Sequence, residues 1–150
     1  MADILLDYPV QIHGSGWKHL DLYNRKGSIF SVVDYKKSED HINNSLAQLS
    51  LSPNTIDSWH DRVLRSLGAK TLCLSNFSSQ EVMEFQIPST ISYQLNEESI
   101  RSTIEWSLNH RDDVIDLGYF LHDKLSTIFS VEAFLANMIN IVAILKSNDY

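Results

Sequence analysis

The stretch RDDVIDLGYFLHDKLSTIF, residues 111–129, decides the fold class of this chain. Its apolar side chains recur three or four positions apart, and this spacing predicts a helix with one buried face. The recurring residues are Val114, Leu117, Leu121, Leu125 and Ile128. The helical pattern extends back to Asn96 or Glu97, and its continuity is open at residues 109–112. The C-terminal half of the chain is therefore predicted to be mainly helical.

Downstream, the segment VEAFLANMINIVAILK, residues 131–146, predicts a last helix that is apolar on nearly every side. Only Glu132, Asn137 and Asn140 interrupt it. A helix that is apolar all round is normally buried, which favours a core helix. The alternative is that part of the helix forms a homodimer or partner contact. The segment is too short and too often interrupted by asparagine for a membrane span, which needs about 20 apolar residues.

Upstream, residues 1–35 have the alternating pattern of β-strands. The alternating apolar residues are Ile4, Leu6, Val10 and Ile12. Turn-forming sequences at residues 13–16 and 24–27 separate this run from residues 29–35, which are rich in β-branched and aromatic side chains. The pattern predicts a three-stranded antiparallel β-meander.

The middle of the chain mixes both kinds of element. Extended segments are predicted at residues 70–75 and 82–95. Helices are predicted at residues 38–49, where a serine is a candidate cap, and at residues 52–68, where Ser-Pro begins the helix and Gly ends it. The sequence thus predicts a single α+β domain over residues 1–150, with an N-terminal antiparallel meander and helices packed on one of its faces.

Composition narrows the functional classes. The 150 residues carry a net charge of −7. This charge argues against a broad nucleic-acid-binding surface, because phosphate binding needs clustered Lys and Arg. A single Cys excludes an internal disulfide framework and a multi-Cys zinc site. The opening Met1-Ala2-Asp3 lacks the basic and apolar regions of a signal peptide. We therefore expect a cytoplasmic protein without a membrane segment.

The negative charge is concentrated near the C-terminus. Nine acidic and four basic side chains fall within residues 97–150, a local net charge of −5. If one helix runs through this region, Glu105, Asp112, Asp116 and Asp123 share a face within about 40°, and Asp113 flanks it. Such a stripe predicts a docking site for a basic protein partner. The alternative is a solvated helix face with no function.

A second motif covers residues 45–69. The runs LSPNTI at residues 51–56 and RSLGA at residues 65–69 resemble the recognition-helix segment of LuxR-type helix-turn-helix proteins. The resemblance implies a helix lying in the DNA major groove. The exposed residues that would contact DNA are Asn54, Thr55, Ser58, Arg62 and Arg65. Asp57 and Asp61 place carboxylates on the same side, where they would repel phosphate.

Signatures of catalysis are absent from the sequence. It contains no phosphate loop, nucleophile elbow or dinucleotide fingerprint, and its six histidines do not form a helical zinc pair. We expect no metal and no cofactor. The first functional hypothesis is a small acidic, non-enzymatic module that neutralises, escorts or tethers a protein partner, with a possible homodimer through residues 131–146. The alternatives are the DNA-binding regulator and an enzyme whose site is assembled from distant residues.

Overall fold

A computed structural model describes residues 2–50 and 60–147, with side chains for residues 3–50 and 60–140. Within this part the chain has an α+β fold with a largely helical C-terminal half, as predicted. Its helices are α1 (Ala2–Leu5), α2 (Ser38–Asn43), α3 (Asp61–Gly68), α4 (Ser79–Glu84), α5 (Glu97–Asn109), α6 (Arg111–Ser126) and α7 (Val131–Ser147). Its strands are β1 (Gln11–His13), β2 (Ser28–Phe30), β3 (Ala47–Ser50) and β4 (Leu72–Ser75). Short 3-10 helices cover Trp17–His19 and Ser89–Ile91.

The N-terminal strands are parallel, so the predicted antiparallel meander is wrong. The residues expected to form its first strand instead begin with α1, and β1 starts only at Gln11. The residues expected to form a hairpin turn contact the N-terminal segment, where the backbone N–H groups of Lys26 and Gly27 both donate to the Leu6 carbonyl oxygen. These bonds place the start of β2 beside the segment that precedes β1, and the two strands then run in parallel.

A second parallel pair forms the centre of the fold. β3 and β4 pair with Leu49 opposite Leu74, and α3 lies in the crossover connection that parallel neighbours require. An isolated parallel bridge between Ser75 and Ser92 adds a third segment beside β4. β4 is therefore central and buried along its whole length. Burial on both faces explains why its sequence is a continuous run without polar alternation.

Two predictions in the middle of the chain assign the wrong element. The helix predicted over residues 38–49 ends at Asn43, and β3 follows it. The extended structure predicted over residues 82–95 misses α4, which begins with a capping box. In that box the Ser78 hydroxyl accepts from the Glu81 N–H, and the Glu81 carboxylate accepts from the Ser78 N–H. These reciprocal bonds satisfy two amides that the start of a helix leaves unpaired.

Helix α6 confirms the buried face that its sequence predicts. Val114, Leu121 and Leu125 lie in the hydrophobic core. Leu117 is partly buried against the same core, and α6 packs on β4 and α3. Ile128 lies beyond the end of the helix and is 46% exposed.

A network of charged groups joins the N-terminal segment to α5. Asp7 accepts hydrogen bonds from Arg101, at 2.9 Å, and from Arg25. Beside it, Tyr8 donates to Glu105 at 2.7 Å. The Arg101 guanidinium, together with that of Arg25, holds the pKa of the Asp7 carboxyl below its usual value.

This network predicts a pH-dependent cost for Asp7→Asn. Because folding lowers the pKa of Asp7, its contribution to stability is present above the carboxyl's ordinary pKa of 3.8 and is lost as the pH falls through the lower folded value. We expect the variant to unfold at lower urea concentration than wild type at pH 7, with the difference shrinking at pH 3. Equal differences at the two pH values would show that Asp7 does not hold the two arginines through its charge.

Candidate functional site

The outer side of α6 carries four exposed carboxylates, which we call the acidic face: Asp112, Asp113, Asp116 and Asp123. Within the described residues none of them forms an ion pair, and all the salt bridges found there lie on other elements. Asp112 and Asp113 occupy the first turn of α6, where the helix dipole favours negative charge. Asp116 and Asp123 lie farther along the helix and gain nothing from that end.

Glu105 does not continue the acidic face along one helix. α5 ends at Asn109, and His110 has a non-helical backbone conformation before α6 begins. The continuous helix required for the longer stripe is therefore not formed. The Glu105 carboxylate accepts the hydroxyl hydrogen of Tyr8 at the edge of the charged network. Glu105 therefore does not belong to the acidic face.

Exposed aromatic and aliphatic side chains interleave with the acidic face. Ile115, Tyr119 and Phe120 are each about half exposed. Tyr119 and Phe120 follow Asp116 by three and four positions, and Ile115 follows Asp112 by three, so each lies beside a carboxylate of the acidic face. The Lys70 ammonium lies 5.3 Å from the centre of the Tyr119 ring. The Lys124 ammonium, on α6 itself, lies 5.6 Å from the centre of the Phe120 ring. Aromatic groups surrounded by charges are typical of residues that anchor protein interfaces.

Helix α7 exposes a further apolar surface, which we call the α7 stripe: Val131, Phe134, Leu135, Met138 and Ile139. These side chains are between 46% and 69% exposed. The favoured prediction of a core helix is therefore wrong for residues 131–140, where only Ala133 and no larger apolar side chain is partly buried. Their spacing gives one continuous apolar side. The remaining side chains of the predicted segment, residues 141–146, lie outside the described ones.

Of the five residues that the resemblance would place against DNA, the structure describes only Arg62 and Arg65. Asn54, Thr55 and Ser58 lie outside the described residues. Residues 47–50, which precede these runs within the 45–69 motif, form strand β3 and not a helix. Arg62 is exposed, but Arg65 is partly buried.

The contacts of Arg65 show what it does in this fold. Its guanidinium donates to the Tyr35 carbonyl oxygen at 3.0 Å and to the Ser38 hydroxyl at 2.6 Å, and it lies 3.9 Å from the centre of the Tyr35 ring. These contacts join α3 to the start of α2. These two bonds use two of the five N–H donors and hold the guanidinium against Tyr35 and α2.

An open groove of about 440 Å³ lies between the second 3-10 helix and α5. Hydroxyl, amide and one indole side chain line most of it. The lining residues are Ser89, Thr90, Ser92, Gln94, Asn96, Glu98, Ser99, Ser102, Thr103 and Trp106. Sequence reasoning missed this groove, because its residues carry no motif and meet only through the fold.

The single cysteine is packing and not a nucleophile. Cys73 lies in the centre of β4, and burial raises the pKa of its thiol to about 12. Its sulfur is therefore protonated and inaccessible at neutral pH.

His13 stacks on Phe30 with ring centres 5.0 Å apart and lies 4.7 Å from the ring of His41. In the part of the chain that the structure describes, no three potential ligands gather into a metal site.

Comparison with known proteins gives no independent guide to function, since no family model, curated protein or solved structure matches the chain. Across the described ranges, none of the helices has the length and apolar character needed to cross a bilayer. Function must therefore be argued from the surfaces themselves.

Proposed function

We propose that this protein is a small, non-enzymatic binding module that docks a protein partner through the acidic face of α6 and the α7 stripe. The observation that carries the proposal is the amount of apolar side chain exposed on α7. Exposed Leu, Met and Phe side chains at consecutive helical positions form a larger apolar patch than isolated surface residues do. A partner that covers them would gain the free energy of burying that area.

The charge of the acidic face supports a basic partner. Asp116 and Asp123 form no ion pair within the described residues, so Lys or Arg side chains from a partner would meet unpaired carboxylates. Complementary charge accelerates association and selects among partners more than it tightens the final complex. The half-exposed rings of Tyr119 and Phe120 would supply the apolar anchors between these charges. We also propose that the protein is cytoplasmic.

Charge reversal tests the acidic face. The triple variant combines Asp112→Lys, Asp116→Lys and Asp123→Lys. We expect it to recover at least about tenfold less partner from source-cell lysate than wild type does, since like charges facing each other cost several kcal/mol. Tagged wild-type and variant chains would be compared by quantitative mass spectrometry of the captured proteins.

A matched control reverses three exposed carboxylates elsewhere: Glu39→Lys, Asp40→Lys and Glu84→Lys. It makes the same change in net charge away from α6 and should recover the partner as wild type does. Equal loss in both triple variants would reduce the effect to net charge, and unchanged recovery in the α6 variant would remove the acidic face from the proposal.

The α7 stripe predicts a second result. If the occupant of the stripe is another copy of this chain, sedimentation velocity of the wild-type protein should show a concentration-dependent dimer, and Phe134→Glu should return it to the monomer. If the occupant is the basic partner, the wild type should be monomeric and Phe134→Glu should instead abolish partner recovery. A monomer whose recovery is unaffected by Phe134→Glu would exclude the stripe from binding.

A further inference from the structure

The groove beside α5 lies where ligands bind in open parallel sheets. Ser75 is the last residue of β4, and a parallel bridge joins it to Ser92. The chain that follows Ser92 therefore emerges at the carboxyl end of this parallel pair. The backbone N–H of Tyr93 donates to the Ser75 carbonyl oxygen at 3.1 Å, and this bond holds the segment around Ser92 beside the end of β4. Gln94 and Asn96 come next and line the groove. In parallel sheets, the crevice outside the carboxyl ends of the strands is the usual ligand position.

The lining of the groove selects a neutral, polyhydroxylated ligand. Hydroxyl and carboxamide groups both donate and accept hydrogen bonds, as the hydroxyls of a sugar do. The described residues that line it include no Lys, Arg or His to neutralise a phosphate or carboxylate, and Glu98 would repel either. The lining is also too polar for an apolar ligand, which binds mainly hydrophobic pockets.

Some polar groups of the groove are already used, and others remain available. The Asn96 side chain accepts from the Ser99 N–H at 2.8 Å as the cap of α5, and the Ser99 hydroxyl accepts from the Gln94 N–H at 2.9 Å. These bonds hold the groove in shape. The Thr90 and Ser102 hydroxyls are exposed and make no hydrogen bond within the described residues, so they are free to bind a ligand.

Trp106 is the one aromatic side chain among the described residues that line the groove. It lies on α5 one helical turn after Ser102 and is partly buried against the hydrophobic core. His110 stacks on it with ring centres 5.4 Å apart and planes 15° apart, and the His110 Nδ1 lies 2.9 Å from the Trp106 carbonyl oxygen. The indole is thus held in place before any ligand arrives, which lowers the entropy lost on binding.

We propose that this groove binds a neutral saccharide of one or two rings, with the Trp106 indole against a ring face and the Thr90 and Ser102 hydroxyls bonded to the sugar hydroxyls. The volume of about 440 Å³ falls within the range of small-ligand pockets and suits a ligand of this size. This site is separate from the protein-binding surface proposed above and stands or falls independently of it.

The test is NMR titration of the full-length, ¹⁵N-labelled chain with four neutral disaccharides: maltose, cellobiose, lactose and diacetylchitobiose. Each is added to about 20 mM, above the millimolar dissociation constants of weak complexes. We expect at least one sugar to shift the amide signals of residues 89–106 and the indole N–H signal of Trp106. Inorganic phosphate is titrated in parallel and should leave these signals in place.

Two variants and one control assign the effect. Trp106→Leu should raise the dissociation constant at least about tenfold, because it removes the ring surface. Thr90→Val keeps the shape of an exposed residue and removes one hydroxyl, so it should raise the constant about two- to tenfold even if Trp106→Leu does not fold. Trp17→Leu removes an indole elsewhere and should change nothing.

Two results would overturn the proposal. One is that none of the four sugars shifts the signals of residues 89–106. The other is that phosphate shifts these signals as strongly as any sugar does, which would make the groove an anion site.

Discussion

Replacing Leu121 with alanine is expected to lower the free energy of unfolding by about 2–5 kcal/mol. Leu121 is 2% exposed and belongs to the core that α6 shares with β4 and α3. Removing its side chain costs the transfer free energy of the lost carbons and leaves a cavity that a close-packed core fills only in part. Since a domain of this size has about 5–15 kcal/mol of stability in total, the loss would be readily seen in guanidinium unfolding followed by circular dichroism.

The neighbouring residue provides the matched control. Phe120 precedes Leu121 on the same helix but is 53% exposed, so Phe120→Ala should cost less than about 1 kcal/mol. Its effect should appear in partner recovery instead, because the ring stands among the carboxylates of the acidic face. Equal losses of stability at the two positions would show that the inner and outer sides of α6 are wrongly assigned.

The inner side of α6 was predictable because it depends on local periodicity alone. Val114 and Leu121 repeat at helical spacing, and this pattern has one low-energy solution, which is burial of that side. The strand within the predicted extended segment at residues 70–75 was predictable for a similar reason, since a short apolar segment rich in β-formers suits a central strand. In both cases the information lies within a few neighbouring residues.

The direction of strand pairing was not predictable, because it depends on contacts between distant segments. The turn-forming sequence at residues 24–27 is compatible with a hairpin, but the Leu6 carbonyl oxygen accepts two of its N–H groups. Nothing within that sequence specifies a partner 20 or more residues away. The helix predicted over residues 38–49 fails similarly, since pairing with β4 makes its last part a strand.

The candidate sites show the same contrast between features set by neighbouring residues and features set by distant contacts. The carboxylates of the acidic face were identified from sequence because one helix carries them, whereas Glu105 was wrongly joined to them because the break at His110 was left open. The exposure of the α7 stripe was not predictable, since an apolar segment indicates burial without naming what covers it. The groove beside α5 was missed because serine, threonine and asparagine are common in turns and caps, and only the parallel bridge at Ser92 gathers them.

The close approach of α6 to β4 gives the second large effect. Alanine is favoured over glycine by about 1 kcal/mol inside a helix, so Gly118→Ala would normally stabilise α6. Here a Cβ atom at residue 118 would lie 2.6 Å from the Lys70 carbonyl oxygen and 3.1 Å from the Leu72 nitrogen. Both are backbone atoms beside the central strand, and they cannot move without disturbing its pairing. We therefore expect Gly118→Ala to lower the free energy of unfolding by about 1–3 kcal/mol despite the gain in helix propensity.

Gly68→Ala distinguishes this steric effect from propensity. Gly68 is the last residue of α3, and a Cβ added there would have no neighbour within 4 Å. The same substitution at that position should therefore be neutral or stabilise the protein by up to about 1 kcal/mol. Gly118→Ala should therefore lower the guanidinium midpoint, whereas Gly68→Ala should leave it unchanged or raise it. If both shift it upward, α6 does not lie this close to β4, and the orientation of the acidic face, which depends on that packing, would have to be reassigned.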